Sequence, residues 1–178
     1  MRPSKPRLEI FVFWVGFLRY NQRAGMKLSL RGEYALRALV VLGQNYGEDV
    51  VRIQVISQAQ NIPKRFLEQI LNDLKTARIV DSRRGVAGGY RLAQPPDKIK
   101  LSVIIRHIEG ALAPISCVSE RFYEKCSCPD ESTCGIRNVM KEVREAIVKI
   151  LENTTVADVC QRIRHLEEHK SHSFDYII

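Results

Sequence analysis

No stretch of this 178-residue chain approaches the ~18 consecutive apolar residues of a membrane-spanning helix. A short apolar run, Ile10–Leu18, follows a basic start, but the residues just before Met26 are only Gln22-Arg23-Ala24-Gly25. That is not the small-residue cleavage site of a secretory leader. The ingredients of an enzyme are missing as well. There is no nucleophile–base pair and no metal site with an evident open position, and Gly85–Gly89 lies between strand-like segments instead of leading into a helix. Cysteine is scarce and odd in number, five residues in all, which argues against a disulfide-stapled secreted domain and for a reducing, cytoplasmic setting. Acid is short in the first half of the chain. Residues 26–94 carry eleven Lys and Arg against six Asp and Glu, and residues 1–25 carry five against one, whereas residues 95–178 carry twelve against thirteen. A nucleic-acid footprint is therefore to be sought before residue 95.

In that half Ser29 can cap a helix running through Leu42, with Tyr34, Ala35, Ala38, Leu39 and Leu42 on one apolar stripe. Arg52–Gln60 predicts a second, short helix with Val55, Ile56 and Ala59 inward. Pro63 suits the first position of a third helix, in which Phe66, Leu67, Ile70, Leu71 and Leu74 face a core. Ile79–Arg84 and Tyr90–Leu92 flank the glycine-rich tip as a β-hairpin. The expected fold class is mainly α with a small β-hairpin: a winged helix-turn-helix followed by a long dimerisation helix. In such a fold the third helix enters the major groove of double-stranded DNA. Lys64, Arg65, Glu68, Gln69 and Asn72 form its outer face, Arg65 and Gln69 can reach base edges, and Lys64 and Lys75 can meet phosphate. Arg83, Arg84 and Arg91 flank the wing, where they can contact backbone or minor groove.

Pro95-Pro96 marks a boundary. Leu101–Gly110 predicts a helix with Val103, Ile104 and Ile108 inward. Past Cys134, residues Ile136, Val139, Met140, Val143, Ile147, Ile150 and Leu151 recur on one face of a helix to about Asn153, a natural homodimerisation element. A last helix starts near Thr155, with Cys160 as a packing thiol, and His165, His169 and His172 are placed on a polar C-terminal tail. The expected organisation is a 1–25 extension before a start at Met26, a 26–95 DNA-binding domain, a 96–134 linker helix and cysteine loop, 135–166 for the dimerisation helix and short final helix, and a 167–178 tail.

Four of the five cysteines, Cys117, Cys126, Cys128 and Cys134, fall within 18 residues of charged, proline-containing loop. Thiolates so gathered bind a soft metal or an iron–sulfur cluster, or form disulfides.

From Met26 to about Arg162 the chain resembles the IscR/NsrR-like winged-helix regulators, the Rrf family. The resemblance is carried by Met26–Arg37, Ile62–Leu71, Arg84–Tyr90, and Cys134 leading into a long helix and Thr155-Val156-Ala157-Asp158. It implies a homodimeric transcription factor acting on a palindromic operator. Some members are cluster-free; others hold a 2Fe–2S or 4Fe–4S cluster on three loop cysteines and sense redox state, nitric oxide or cluster supply. Cys128 and Cys134 match the last two ligands of that pattern. The first has no clean match. Cys117 is preferred, because Cys126 and Cys128 are one residue apart and would strain to bind one small cluster, and Cys126 stays the alternative. Where IscR-like proteins carry a histidine ligand, this chain has Arg137, which cannot ligate. NsrR-like proteins instead bring a carboxylate across the dimer from the first helix, a position held here by Glu33; pairing of Glu33 with Arg37 is the simpler reading of that residue. A zinc-bound or cluster-free repressor answering through thiol chemistry or a protein partner is the alternative function, and an iron–sulfur electron carrier, which has no use for a winged helix, comes last.

Overall fold

The computed structural model describes residues 28–174; the expected extension and the start at Met26 lie outside the described residues. Ser29 opens helix α1 (Leu30–Gln44) as its N-cap, its Oγ accepting the Gly32 N–H at 3.1 Å. That satisfies a donor with no partner inside the helix. Ala35, Ala38, Leu39 and Leu42 recur at helical spacing and are buried. The short α2 (Ile53–Gln60) ends on Asn61 at φ 50, a left-handed cap that asparagine tolerates. Pro63 then leads into α3 (Lys64–Thr76), which buries Leu67, Ile70, Leu71 and Leu74.

Strands β1 (Val80–Arg83) and β2 (Gly89–Leu92) form the antiparallel wing, pairing Val80 with Leu92 and Arg83 with Gly89. Val51 adds a third edge by exchanging backbone hydrogen bonds with Tyr90 at 2.8 and 2.9 Å. A Cβ on Gly89 would lie 2.5 Å from the Val51 carbonyl oxygen, so this approach requires glycine.

Helices α4 (Leu101–Glu109), α5 (Gly135–Glu152) and α6 (Val156–Phe174) complete the chain, with one-turn 3-10 segments at Pro96–Lys98 and Ser116–Val118. Asp158 and Thr155 cap α6 reciprocally: the carboxylate accepts from the Thr155 N–H and Oγ at 2.7 Å, and the Asp158 N–H donates to the Thr155 Oγ at 3.2 Å. Helix α6 returns to α1, where Val156 and Cys160 join the winged-helix core with Ile99 and Ile104. The Cys160 thiol points at the Val40 carbonyl oxygen at 3.6 Å, as a packing thiol does. The fold is thus mainly α with a small hairpin, as expected. Among the described residues no helix is long and apolar enough to cross a membrane.

Several inward assignments are corrected. Phe66 is 56% exposed, and Val55, Ala59 and Val103 are exposed too. The reason is helical phase. The stripes actually facing the core are 53/56/57/60 in α2, 67/70/71/74 in α3 and 101/104/105/108 in α4, and each misplaced residue lies beside its stripe. The expected tail from residue 167 is corrected as well, because α6 continues to Phe174 and carries His165 and His169 on the helix. The His172 side chain lies outside the described ones.

Candidate functional site

The outer face of α3 presents Lys64, Arg65, Glu68, Gln69 and Asn72 to solvent, with Lys64 3.9 Å from Glu68. Phe66 lies among them. The three wing arginines differ. Arg83 makes a two-pronged pair with Asp49 at 2.8 and 2.6 Å and donates to the Ala87 carbonyl oxygen at 3.0 Å. It braces the tip, and its guanidinium holds the Asp49 carboxyl below the usual carboxylate range. Arg91 lies 3.9 Å from Asp81. Arg84 is exposed and, among the described residues, makes no ion pair. At the tip Val86 is fully exposed.

The cysteine loop gathers all four of its thiols. Cys117 sits buried in the second 3-10 turn, with Cys126 near enough to act on it and on Cys128 electrostatically, and Cys128 Sγ lies 3.8 Å from Cys134 Sγ. The loop's polar groups shape this arrangement. Asp130 accepts from the Ser132 N–H and hydroxyl and from the Thr133 hydroxyl at 2.7 to 2.9 Å, turning the chain into α5. Cys134 is the N-cap of α5, and its sulfur accepts the Arg137 N–H at 3.4 Å. That bond holds the Cys134 thiol below its ordinary range, whereas hydrogen bonding with Cys126 and then Cys134 pushes Cys128 up to about 12. Burial, then the neighbouring Cys126, raises Cys117. Among the described residues, no three His, Cys, Asp or Glu side chains are placed around one point as a single metal ion requires.

Glu33 stands on α1 with its side chain half exposed and pairs with Arg37 at 3.3 Å. Arg37 in turn ties α1 to the end of α2 through the Gln60 backbone oxygen and side chain.

Sequence reasoning missed one residue of the thiol site, Glu131, and the structural role of another, Arg137. Glu131 accepts from the Tyr123 hydroxyl at 2.7 Å and the Cys126 N–H at 3.2 Å, and its carboxylate lies 3.5 Å from the Cys126 sulfur. Arg137 donates to the Cys117 carbonyl oxygen at 3.3 Å and stands 4.0 Å from Glu131. It clasps both ends of the loop without being able to ligate. The one available signal was their position, within or just after the cysteine run.

The residues that matched the resemblance also match independently. The family Rrf2, described as an iron-dependent transcriptional regulator, matches residues 28–162. A putative rrf2-like HTH-type transcriptional regulator of Rhodobacter capsulatus is 38% identical over 131 residues, 71% of this chain and 87% of that one. Among solved structures, CymR of B. subtilis, described as its global cysteine regulator, superposes with a TM-score of 0.65 at 30% identity, covering 76% of this chain and 97% of that one. IscR of T. potens does so with 0.62 at 29%, covering 78% and 89%. These relatives are transcriptional regulators, not enzymes.

Proposed function

This chain belongs to the Rrf2 family of transcriptional regulators, and from that premise we propose that it is a homodimeric DNA-binding regulator whose operator affinity is set by an iron–sulfur cluster on its cysteine loop. The observation that carries this reading is the approach of the Cys128 and Cys134 sulfurs to 3.8 Å at the start of α5, in a loop that also holds Cys117 and Cys126. Soft thiolates suit iron. A cluster of two or four irons meets its ligands at different irons, so it does not need three donors around one point, as zinc would. Cys128 and Cys134 would hold the group together with Cys117 or Cys126; Glu33 of a second copy is the candidate oxygen ligand. When bound, the cluster supplies the sensitivity to oxidant, nitric oxide or iron supply.

The chain's own residues do the rest. Cys134 caps α5, so whatever occupies its sulfur acts directly on the start of the dimer helix. Exposed Ile136, Val139 and Ile150 on α5 offer the surface for a second copy. Two α3 helices then read two half-sites. Arg65 and Gln69 contact base edges, Lys64 and Asn72 help to seat the helix, and Phe66 suits a thymine methyl. Glu68 makes its contribution through Lys64, and Arg84 with the Val86 tip meets the sugar–phosphate backbone, while Arg83 and Arg91 hold the wing in shape.

A second reading has its own support. The 3.8 Å approach of the Cys128 and Cys134 sulfurs suits a cluster-free regulator answering by thiol chemistry, and a solved relative is the oxidized form of Staphylococcus aureus CymR.

One experiment separates the two. Protein purified without oxygen is expected to be brown, with visible absorbance that Cys128→Ala or Cys134→Ala abolishes, and to bind duplex DNA with an affinity that falls steeply with salt. A colourless protein holding one zinc per chain, or none, would overturn the cluster reading.

A further inference from the structure

The geometry points to the last turn of α4 as the element that carries the state of the cysteine loop to the DNA-reading helices of the same protomer, with Glu109 as the positioning residue. This rests on the reading that the loop's occupancy sets DNA affinity. It differs from a ligand carried across the dimer by Glu33, because every contact involved lies within one chain.

Three neighbouring residues make the connection. Glu109, at the end of α4, accepts from the Ser29 hydroxyl at 2.6 Å and the Ser29 N–H at 3.2 Å. Ser29 is the N-cap of α1, so a carboxylate from 80 residues away holds the residue that starts the first DNA-binding helix. The same carboxylate stands against the positive end of that helix, where negative charge is favoured. The fit is close: a Cβ on Gly32 would lie 2.1 Å from the Glu109 Oε1, so α1 offers glycine at the point where the carboxylate enters. Two residues earlier, the His107 imidazole lies 3.4 Å from Asp73 on the recognition helix, whose other carboxylate oxygen is held by Arg31 of α1 at 2.8 Å. One turn of α4 thus touches the start of α1 and the second half of α3.

The other side of that turn meets the cysteine loop. Gly110, next after Glu109, adopts φ +84 and lies under the Phe122 ring, which is 3.4 Å from where a Cβ would be. Phe122 belongs to the segment between Cys117 and Cys126, and its N–H donates to the Ser119 hydroxyl at 3.0 Å. Ser119 is buried and its N–H donates to the Ser116 carbonyl oxygen at 3.0 Å, closing the turn that carries Cys117. A loop that rearranges about its thiols shifts Phe122. The shift changes the support of Gly110, and Glu109 with it. Loss of the Glu109 contacts loosens the cap of α1, against which α3 packs.

The test uses full-length protein, loaded anaerobically or stripped by chelator, and a duplex that the wild-type protein selects from a random-sequence pool. The quantity read is the ratio of DNA affinities in the two states, with visible absorbance and amide hydrogen exchange of α1 and α3 recorded alongside. The wild-type ratio is expected to be at least about tenfold, the range in which site-to-site coupling falls. Glu109→Gln and, separately, Phe122→Ala are expected to keep the absorbance, to bring the ratio to within about threefold of one, and to make exchange at the start of α1 the same in both states. A merely structural role would weaken DNA binding in both states alike and leave the ratio at its wild-type value. That result in both variants overturns the proposal. If Glu109→Gln does not fold, Phe122→Ala decides alone. A wild-type protein without visible absorbance, or with a ratio of one, overturns the cluster reading first and this inference with it.

Discussion

Helix α3 has 13 residues and buries four of its side chains; α5 has 18 and buries none. Helix α3 spends its apolar stripe on its own chain, with Leu67, Leu71 and Leu74 fully enclosed by α1 and its neighbours, and leaves outward a face that is polar but for Phe66. Helix α5 leans on its own chain through half-buried Met140, Ile147 and Leu151 and through polar ties, Arg144 to Glu120 at 2.8 Å and Arg106 to Glu152 at 2.9 Å. Its other side repeats Ile136, Val139, Val143, Ala146 and Ile150 at alternating spacings of three and four, the seam of a coiled coil. The first half encloses its apolar residues, whereas the second leaves an apolar seam open, the surface that the proposed dimer would cover. On the proposed reading, that difference explains why a sensing loop would sit where it does, since Cys134 begins the helix that a second copy would meet.

Breaking the open seam should have the largest effect. Each seam isoleucine removed from water contributes about 1.5–3 kcal/mol, and two-fold symmetry uses each one twice. Ile136→Glu combined with Ile150→Glu is expected to raise the dimer dissociation constant at least about a thousandfold while leaving helical circular dichroism unchanged. Sedimentation velocity across a dilution series reads the result directly. An undisturbed dimer would show that α5 is not the interface.

The enclosed half should respond in folding instead. Leu67→Ala removes a fully buried side chain and is expected to lower unfolding stability by roughly 3 kcal/mol, within the 2–5 seen for such truncations. In the monomeric double variant, Val139→Ala on the exposed seam is expected to stay within about 0.5 kcal/mol. Urea unfolding of both measures the contrast. Equal costs would mean that α5 already packs as tightly as α3.

How far the sequence reveals each half follows from the same difference. The winged helix was legible because its apolar stripes, its Ser29 cap and its glycine-rich wing are local patterns with local consequences. Phe66, Val55, Ala59 and Val103 were misplaced because an apolar residue one position off a stripe has the same composition signal as one on it. Only the phase of a packed helix separates them. In the thiol loop the cysteines stand out in the sequence, but what arranges them does not. Glu131 meets Cys126 and Tyr123 through a fold of the loop that no periodicity announces. Arg137 is visible as a residue that cannot ligate, while its reach back to the Cys117 carbonyl depends on where α5 begins. The Glu109–Ser29 contact joins residues 80 apart in the chain and has no local signature at all.

The smallest expected effect concerns the wing, where the enclosed half has an exposed brace. The Asp49–Arg83 pair is open to water, so solvent and salt weaken it. Its direction with pH is nevertheless fixed. Arg83, first by hydrogen bonding, lowers the Asp49 carboxyl in the folded protein. The folded state therefore binds this proton less readily than the unfolded state does. The brace contributes fully above the ordinary aspartate range and is lost as pH falls through the lowered folded value. Asp49→Asn is expected to be slightly less stable than wild type near neutral pH, with the difference shrinking as the solution is acidified and as salt is added. Paired urea titrations from neutral to acid pH, at low and high salt, read it. A difference that grew toward acid would mean that Asp49 is not the group bracing Arg83, and that the wing holds its shape through Val51 and Tyr90 alone.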